Sequence, residues 1–429
     1  MTSASPAASP FESDLSLAVD GRSLARNASS LFVGQAVGMV VPLLTIPYLA
    51  RVLGPAAWGP VLAAQAFGYW LILVLEFGFE LSGTRAVART RSAPERLADV
   101  VQGIQSAKAL LIVATLPIVL IAVAVVPALH HHPRLIGWAL AFAVLRGASP
   151  LWFFQGIERV HGAVAVDTLT RAAAALGVFA LVRRPGDGWR VLALQAVFAG
   201  VALIVLTAWL GRRVTLRAPR GADAVRALRE GSTVFACRAW SGLYIQGNAL
   251  LLAALAAPAT VAFFGGAERI VRAAINMLQP LTQAFLPRVS YLQTADPPAA
   301  RKMIRRSLVG VGAAGLAAAM LAFVGAPLLV RLLLGAGYES AVPVLRMLGL
   351  LPALVAVNTV LGIYWALPFG RDRSFLASII AAGVSNVVLA AVLVPRFGAL
   401  GMAAASITAE VIVLLVLGTL YYRTVGDKR

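Results

Sequence analysis

Charged side chains are scarce in this chain. Asp, Glu, Lys and Arg together make up 13% of its 429 residues, whereas hydrophobic residues make up 60%. A soluble domain carries about 25% charged residues, because water must solvate its surface. So small a charged fraction excludes a soluble enzyme of this length, and it predicts a protein whose main solvent is lipid.

Cysteine is nearly absent, and the residues of common catalytic and metal sites do not cluster. The one cysteine, Cys237, cannot form an internal disulfide and lies in an apolar segment, as expected of a small packing residue. The run His130–His132 has no Cys or carboxylate nearby to complete a metal site. Residues 310–315 match a dinucleotide-binding pattern, but they lie inside an apolar helix rather than after a strand. We therefore predict no enzymatic activity, no metal and no cofactor.

Long apolar runs recur along the whole sequence. A helix needs roughly 20 mainly apolar residues to span a bilayer. The runs predict an all-α polytopic membrane protein with about twelve transmembrane helices. These helices are predicted at 28–50, 57–83, 104–127, 135–155, 161–182, 190–211, 231–256, 260–287, 307–334, 342–367, 374–394 and 398–422.

Basic residues concentrate in every second loop. Lys and Arg outnumber Asp and Glu by 37 to 18, and most of those outside the helices fall on the side of the chain termini. This positive-inside pattern predicts that both termini are cytoplasmic. It accounts for the net charge of +19 without a nucleic-acid partner.

A weak internal repeat divides the chain into two halves. The pattern of residues 181–186 recurs at residues 393–398. Both halves begin on the same side, so the repeat is parallel, with its pseudo-two-fold axis along the membrane normal, as in transporters whose substrate path lies between the halves. The predicted divisions are a disordered cytoplasmic tail (1–27), an N-terminal six-helix bundle (28–211), a basic cytoplasmic linker (212–230), a C-terminal six-helix bundle (231–422) and a cytoplasmic tail (423–429).

Acidic residues inside the predicted helices can have either of two roles, structural or in transport. Asp167 lies four residues before Arg171, and Glu268 lies four residues before Arg272, so each pair can meet on one helical face. Such pairs serve either as internal structural ion pairs or in transport. Glu76 and Glu80, one turn apart on the second helix, either carry a coupling proton or hold a neighbouring arginine.

Arginines inside the helices are the main functional signal. Each costs about 2.5–3.5 kcal/mol at the centre of a lipid-facing helix, so these side chains need ion partners or water. An excess of buried cations along a path suits an anionic substrate, and the planar guanidinium binds two phosphate oxygens at once. An arginine near a helix end can instead reach the membrane interface. The candidates for a cationic cavity are Arg146, Arg238, Arg269, Arg272 and Arg346.

Three stretches of sequence resemble one family of membrane proteins. They are residues 42–55 followed by Glu76-Phe77-Gly78-Phe79, residues 150–159 with Trp152-Phe153-Phe154-Gln155-Gly156, and residues 337–346 with Gly337-Tyr338 and Arg346. In these stretches the chain is similar to the Wzx-type polysaccharide flippases, or O-antigen transporters. That family belongs to the MATE-like multidrug/oligosaccharidyl-lipid/polysaccharide superfamily.

The resemblance implies two six-helix bundles around a V-shaped cavity that opens alternately to each side of the bacterial inner membrane. It implies translocation of undecaprenyl-pyrophosphate-linked oligosaccharide repeat units for O-antigen, capsule or exopolysaccharide synthesis. The implied partners are this lipid-linked glycan, membrane lipids, a polysaccharide polymerase and a chain-length regulator. By position, the five arginines would hold the pyrophosphate. Of them, only Arg346, in the third stretch, and Arg269, in a further stretch with Glu268 at the start of the eighth helix, fall where the sequence resembles the family.

Other functions stay open at this point. A MATE-type drug and ion antiporter would show a less basic cavity with acidic residues for cationic drugs. A lipid II flippase would carry a closely related substrate, and the sequence hardly separates the two. A polytopic polymerase or ligase would need a long outward loop for its catalytic groups, and the sequence predicts none. A non-transporting scaffold for polysaccharide assembly is a further alternative.

Overall fold

The computed structural model describes residues 21–126, 130–215 and 221–426, and within these ranges every regular element is helical. We number the passes α1 to α12 and count pieces separated by a short break as one pass. They are α1 (21–53), α2 (55–76 and Phe79–Thr90), α3 (Pro94–Val125), α4 (Pro133–Gly147 and Leu151–Gly156), α5 (Val160–Leu181), α6 (Gly188–Gly211), α7 (Gly221–Gln246 and Asn248–Leu255), α8 (Pro258–Ala295), α9 (Pro297–Leu333), α10 (Ala341–Leu348, Leu351–Thr359 and the π-helical Val360–Ala366), α11 (372–397) and α12 (399–426). The predicted all-α polytopic fold is confirmed.

Two glycines turn the chain between passes without a loop. Gly54 separates α1 from α2 with a φ of 69°, and Gly398 separates α11 from α12 with a φ of 55°. Glycine adopts such positive φ values readily because it has no Cβ. A Cβ placed on Gly401 would lie 2.4 Å from the carbonyl oxygen of Leu393, so α11 and α12 are in close contact beside their turn.

Eight helical stretches among the described residues are long and apolar enough to cross a membrane. The first, Leu43–Thr90, joins the end of α1 to α2, and the last, Asp372–Thr424, joins α11 to α12. The passes outside this set are α7 and α8. These two helices carry four of the predicted site residues, Arg238, Glu268, Arg269 and Arg272.

The helices extend beyond two of the predicted boundaries. Residues 1–20 of the predicted tail lie outside the described residues, but residues 21–27 are helical and belong to α1. Residues 216–220 of the predicted linker also lie outside them, whereas residues 221–230 form the first turns of α7. This segment is helical because it packs against α3 and buries the side chain of Ala224.

The two halves meet along α2 and α8. We call the end of the molecule that carries Gly54 the Gly54 end, and the opposite end the termini end. At the Gly54 end the hydroxyl of Tyr338 donates a 3.2 Å hydrogen bond to the carbonyl oxygen of Ala50, and the Tyr338 ring packs edge-on against Trp58. The guanidinium of Arg51 donates to the carbonyl oxygen of Leu332 at the end of α9. These contacts between the halves close the Gly54 end.

The first segment of α7 belongs to the second half in sequence but packs against the first half in space. It lies mainly along α3 and also contacts α2 and the α11–α12 pair, whereas the shorter segment after Gly247 packs against α12 and α2. The two six-helix bundles are therefore joined by α7 at the termini end.

Gly59 allows the closest approach of the two halves. A Cβ on this residue would lie 1.9 Å from the backbone carbonyl oxygen of Pro258, and neither backbone can yield without separating α2 from α8. We expect Gly59→Ala to open the Gly54 end. With Cys237→Ser as background, a membrane-impermeant maleimide should label Gln65→Cys several-fold faster in Gly59→Ala.

Gly137 provides the matched control for this experiment. A Cβ on Gly137 meets no atom within 4 Å, so Gly137→Ala should leave labelling unchanged. Equal labelling of the Gly59→Ala and Gly137→Ala proteins would show that the α2–α8 approach does not close this end.

Candidate functional site

A group of charges joins α2 to α7 at the termini end. Nη1 of Arg238 lies 2.8 Å from Oε2 of Glu80, and Nη2 of Arg238 lies 4.0 Å from Oε2 of Glu76. The two glutamates flank the break in α2, where Phe77 and Gly78 have φ values of 43° and 75°. The sequence did not show that Arg238 has a partner, because these residues are far apart along the chain.

Aromatic packing supports the same junction. The ring of Phe77 stacks on Phe235 of α7, with centroids 4.2 Å apart and planes 11° apart. A Cβ on Gly78 would lie 2.7 Å from Cγ1 of Val234, so the left-handed glycine also provides the space that α7 occupies. We refer to Glu76, Phe77, Glu80, Phe235 and Arg238 as the α2–α7 contact.

Arg269 extends from α8 to α2 and meets neutral groups. Its Nη2 donates a 2.7 Å hydrogen bond to Oε1 of Gln65, and its guanidinium lies 5.6 Å from the ring centroid of Trp58. Nε2 of Gln65 in turn lies 3.4 Å from Oε1 of Gln195 on α6. Among the described residues, no ion pair within 4 Å involves Arg269; the neighbouring Glu268 interacts with it electrostatically but makes its direct contact with Arg272. The centre of the interface between the halves therefore holds a cation whose charge is not matched by a direct acidic partner.

Arg146 is engaged in an ion pair within the first half. The guanidinium of Arg146 on α4 binds the carboxylate of Asp167 on α5 through both nitrogens, and Nη2 of Arg171 lies 3.1 Å from Oδ2 of the same carboxylate. The predicted Asp167 and Arg171 pair is present. Arg146 has no acidic residue three or four positions away in the sequence, and its partner lies on the next helix instead.

The predicted pair on α8 is also present and borders a small polar cavity. Nη2 of Arg272 lies 2.6 Å from Oε1 of Glu268. The cavity, of about 50 Å³, lies between α7, α8, α10 and α12 and is also lined by Asn248, Ser406 and Glu410. Arg272 thus points into the second half, whereas Arg269 extends toward Gln65 on α2.

Arg346 lies apart from the other four arginines. Its side chain is exposed and packs 5.9 Å from the ring centroid of Phe323, which is exposed as well. The structure does not bring Arg346 into the interface between the halves, and its position is that of an arginine that extends along an apolar surface toward water.

Lys108 is a buried charge that the sequence did not single out. Its side chain on α3 is 3% exposed, and its ammonium donates to the carbonyl oxygens of Gly147 and Ser149 at 2.7 and 2.9 Å. These carbonyls lie at the break in α4, where the negative end of a helix dipole attracts a cation. A lone lysine in the apolar run 104–127 is the signal that could have identified it.

A cleft of about 250 Å³ lies beside the α2–α7 contact at the termini end, between α2, α3 and α7. Its charged lining residues have both signs and include Arg96, Asp99, Asp223, Arg226 and Glu230. This cleft is not dominated by arginine, so the predominantly cationic cavity stays a prediction.

The part of the chain that the structure describes holds no group of three or more His, Cys, Asp or Glu residues arranged for a metal ion. In the histidine run, burial and the neighbouring His131 lower the pKa of His132. Both effects favour the neutral form of the His132 imidazole.

Comparison with known proteins agrees with the fold. The family described as "Polysaccharide biosynthesis protein" matches residues 24–293. A "Putative O-antigen transporter" of Escherichia coli (strain K12) is 30% identical over 91% of this chain and 95% of its own length. A "Putative O-antigen transporter" of Shigella dysenteriae is 27% identical over 91% of this chain and 98% of its own length.

Solved structures of similar fold come from two kinds of transporter. The lipid II flippase MurJ in an inward closed conformation has a TM-score of 0.68 at 12% identity, covering 91% of this chain and 86% of MurJ. An inward-facing multidrug resistance MATE transporter has a TM-score of 0.58 at 16% identity, covering 89% of this chain and 97% of the transporter. Both likenesses concern the fold alone. The sequence matches show that this chain belongs to the polysaccharide biosynthesis protein family, and the solved structures show that it has the fold of the MATE-like transporters.

Proposed function

We propose that this protein is a flippase for polyprenyl-pyrophosphate-linked oligosaccharide repeat units in the bacterial inner membrane. The observation that carries the proposal is Arg269, a cation at the interface of the two halves whose hydrogen-bond partner Gln65 and ring contact Trp58 are neutral. Such a charge is costly in a membrane unless a ligand or water compensates it. A pyrophosphate provides that compensation, since its oxygens match the guanidinium fork.

The charge balance at the site favours an anionic substrate over a cationic drug. Glu80 and Glu76 are engaged by Arg238, Asp167 by Arg146 and Arg171, and Glu268 by Arg272. A further carboxylate, Glu410 on α12, accepts a 2.8 Å hydrogen bond from the amide of Asn358 and lines the small cavity that Arg272 also borders. A drug exporter would need a carboxylate left available for its substrate at the interface between the halves. The charges of this site therefore support a flippase rather than an antiporter. The proposed translocation involves no enzymatic step.

The proposed path begins at the termini end, which we orient toward the cytoplasm because most basic loops lie there. Separation of the α2–α7 contact would free Arg238 to meet the pyrophosphate. The headgroup would then reach Arg269 between α2 and α8, while the polyprenyl tail remains in lipid. Separation of Gly59 from Pro258 would open the Gly54 end toward the periplasm and release the substrate there.

The proposal is tested by deleting the gene in its own host. We expect lipid-linked repeat units to accumulate on the cytoplasmic leaflet and the surface polysaccharide to disappear, with both restored on re-expression. Peptidoglycan synthesis and resistance to cationic drugs should not change. Unaltered polysaccharide together with arrested peptidoglycan synthesis would indicate a lipid II flippase, and drug sensitivity would indicate an antiporter.

A further inference from the structure

The buried ammonium of Lys108 is not neutralised by the groups to which it donates. Its two hydrogen-bond acceptors are the carbonyl oxygens of Gly147 and Ser149. An ammonium has three donors, so one is left for another acceptor. The residue that accepts from Lys108, Gly147, packs directly on α2 beside Glu76, because a Cβ on Gly147 would lie 2.6 Å from Cβ of Leu75. Glu76 is thus a carboxylate in the surroundings of Lys108, and the two charges interact electrostatically.

Glu76 lies between two cations that compete for it. It is repelled by Glu80 and attracted by Lys108 and Arg238, and its shortest distance to the Arg238 guanidinium is 4.0 Å. Arg238 makes its short contact, 2.8 Å, with Glu80 instead. The further cation near Glu76 is Arg146, whose guanidinium is already bound to Asp167. The Glu76 carboxylate therefore interacts with cations on two helices, Lys108 on α3 and Arg238 on α7, whereas Glu80 forms its ion pair with Arg238 on α7.

We propose that Lys108 is a positioning residue with two effects on Glu76. In the closed α2–α7 contact, Lys108 and Arg238 both attract the Glu76 carboxylate, which we call the sharing of Glu76. When Arg238 binds a phosphate group instead, Lys108 alone compensates this carboxylate, which we call the takeover. The takeover rests on the proposed function, because it needs a phosphate that binds Arg238. The sharing does not, because it concerns only the strength of the α2–α7 contact.

Exposure explains why Glu76 needs a second partner and Glu80 does not. The side chain of Glu80 is 48% exposed and can be solvated when Arg238 leaves, whereas that of Glu76 is 29% exposed. Removing the partner of a partly buried carboxylate costs more than removing that of an exposed one, since water solvates the remaining charge less completely. Lys108 compensates the Glu76 carboxylate when Arg238 leaves. In the closed contact, it also weakens the ion pair between Glu76 and Arg238.

Cross-linking across the α2–α7 contact measures its strength without any substrate. We would place Phe77→Cys and Phe235→Cys, whose native rings are 4.2 Å apart, in a Cys237→Ser background and treat the purified protein with a short bifunctional thiol reagent. Lys108→Met should raise the cross-linking rate about fivefold, because Glu76 then holds Arg238 alone. Lys108→Arg keeps the charge and should leave the rate near the background.

The double variant Lys108→Met/Glu76→Gln separates this role from a purely structural one. If Lys108 acts through Glu76, the double variant lacks the Glu76 charge that strengthens the contact in Lys108→Met. Its cross-linking rate should then lie within about twofold of the background, well below the increase of about fivefold expected for Lys108→Met. If Lys108 only supports the break in α4, Glu76→Gln will not restore the rate. An unchanged rate in Lys108→Met, or an increase that persists in the double variant, overturns the proposal.

Addition of undecaprenyl pyrophosphate tests the takeover. The lipid should slow cross-linking in the background protein and slow it much less in Lys108→Met. An equal slowing in both overturns the takeover. If Lys108→Met raises the rate but the lipid has no effect in any variant, the sharing of Glu76 is supported and the proposed function is contradicted.

Discussion

Arg269→Ala is expected to lower the export of lipid-linked repeat units about 10- to 100-fold, the loss that corresponds to one charge-assisted hydrogen bond of about 1.5–3 kcal/mol. The reason is its position on α8 between the two halves, where its described partners are the neutral Gln65 and Trp58. Because no buried carboxylate depends on Arg269 for compensation, the substitution should leave the fold intact. The measurement is the ratio of lipid-linked repeat units on the cytoplasmic leaflet to finished polysaccharide, at equal protein level.

Two variants sharpen this prediction. Arg269→Lys keeps the charge but loses the planar fork that binds two oxygens, so it should retain an intermediate rate. Arg346→Ala removes an arginine that is exposed beside Phe323, away from the interface, and should export at close to the normal rate. Equal losses in Arg269→Ala and Arg346→Ala would contradict the assignment of Arg269 to the substrate path.

The sequence predicted the twelve passes because a membrane permits few alternatives. Backbone polar groups cannot be left unpaired in lipid, so each long apolar run must be a helix. The same reasoning identified the two pairs at i, i+4 spacing, Asp167 with Arg171 and Glu268 with Arg272, and the structure contains both.

The sequence could not predict contacts between distant helices. Arg238 is 158 residues from Glu80, and Arg269 is 204 residues from Gln65, so no local pattern joins them. An apolar helix also does not show which face is buried, so Lys108 gave no sign of its place at the break in α4. Contacts of this kind depend on how the helices pack, and they are what distinguishes a matched arginine such as Arg146 from Arg269.

Asp167→Asn should destabilise the protein by about 3–5 kcal/mol, the usual cost of removing one partner from a buried ion pair. The Asp167 side chain is 11% exposed and compensates two cations, one of which, Arg146, is 18% exposed. Without the carboxylate, two positive charges face each other between α4 and α5 at membrane depth. The expected results are a lower unfolding temperature in detergent and a smaller yield of folded protein.

Variants of the two arginines test whether burial sets the size of this effect. Arg171 is 52% exposed, so Arg171→Ala should cost no more than about 1 kcal/mol, as for a surface pair. The double variant Asp167→Asn/Arg146→Met removes both buried charges and should be more stable than Asp167→Asn, because replacing a whole buried pair is often close to neutral. If the double variant is no more stable than the single one, the loss arises from packing around Asp167 rather than from the uncompensated Arg146. In that case, the ion pair with Asp167 would not explain why a charged Arg146 is tolerated inside the first half.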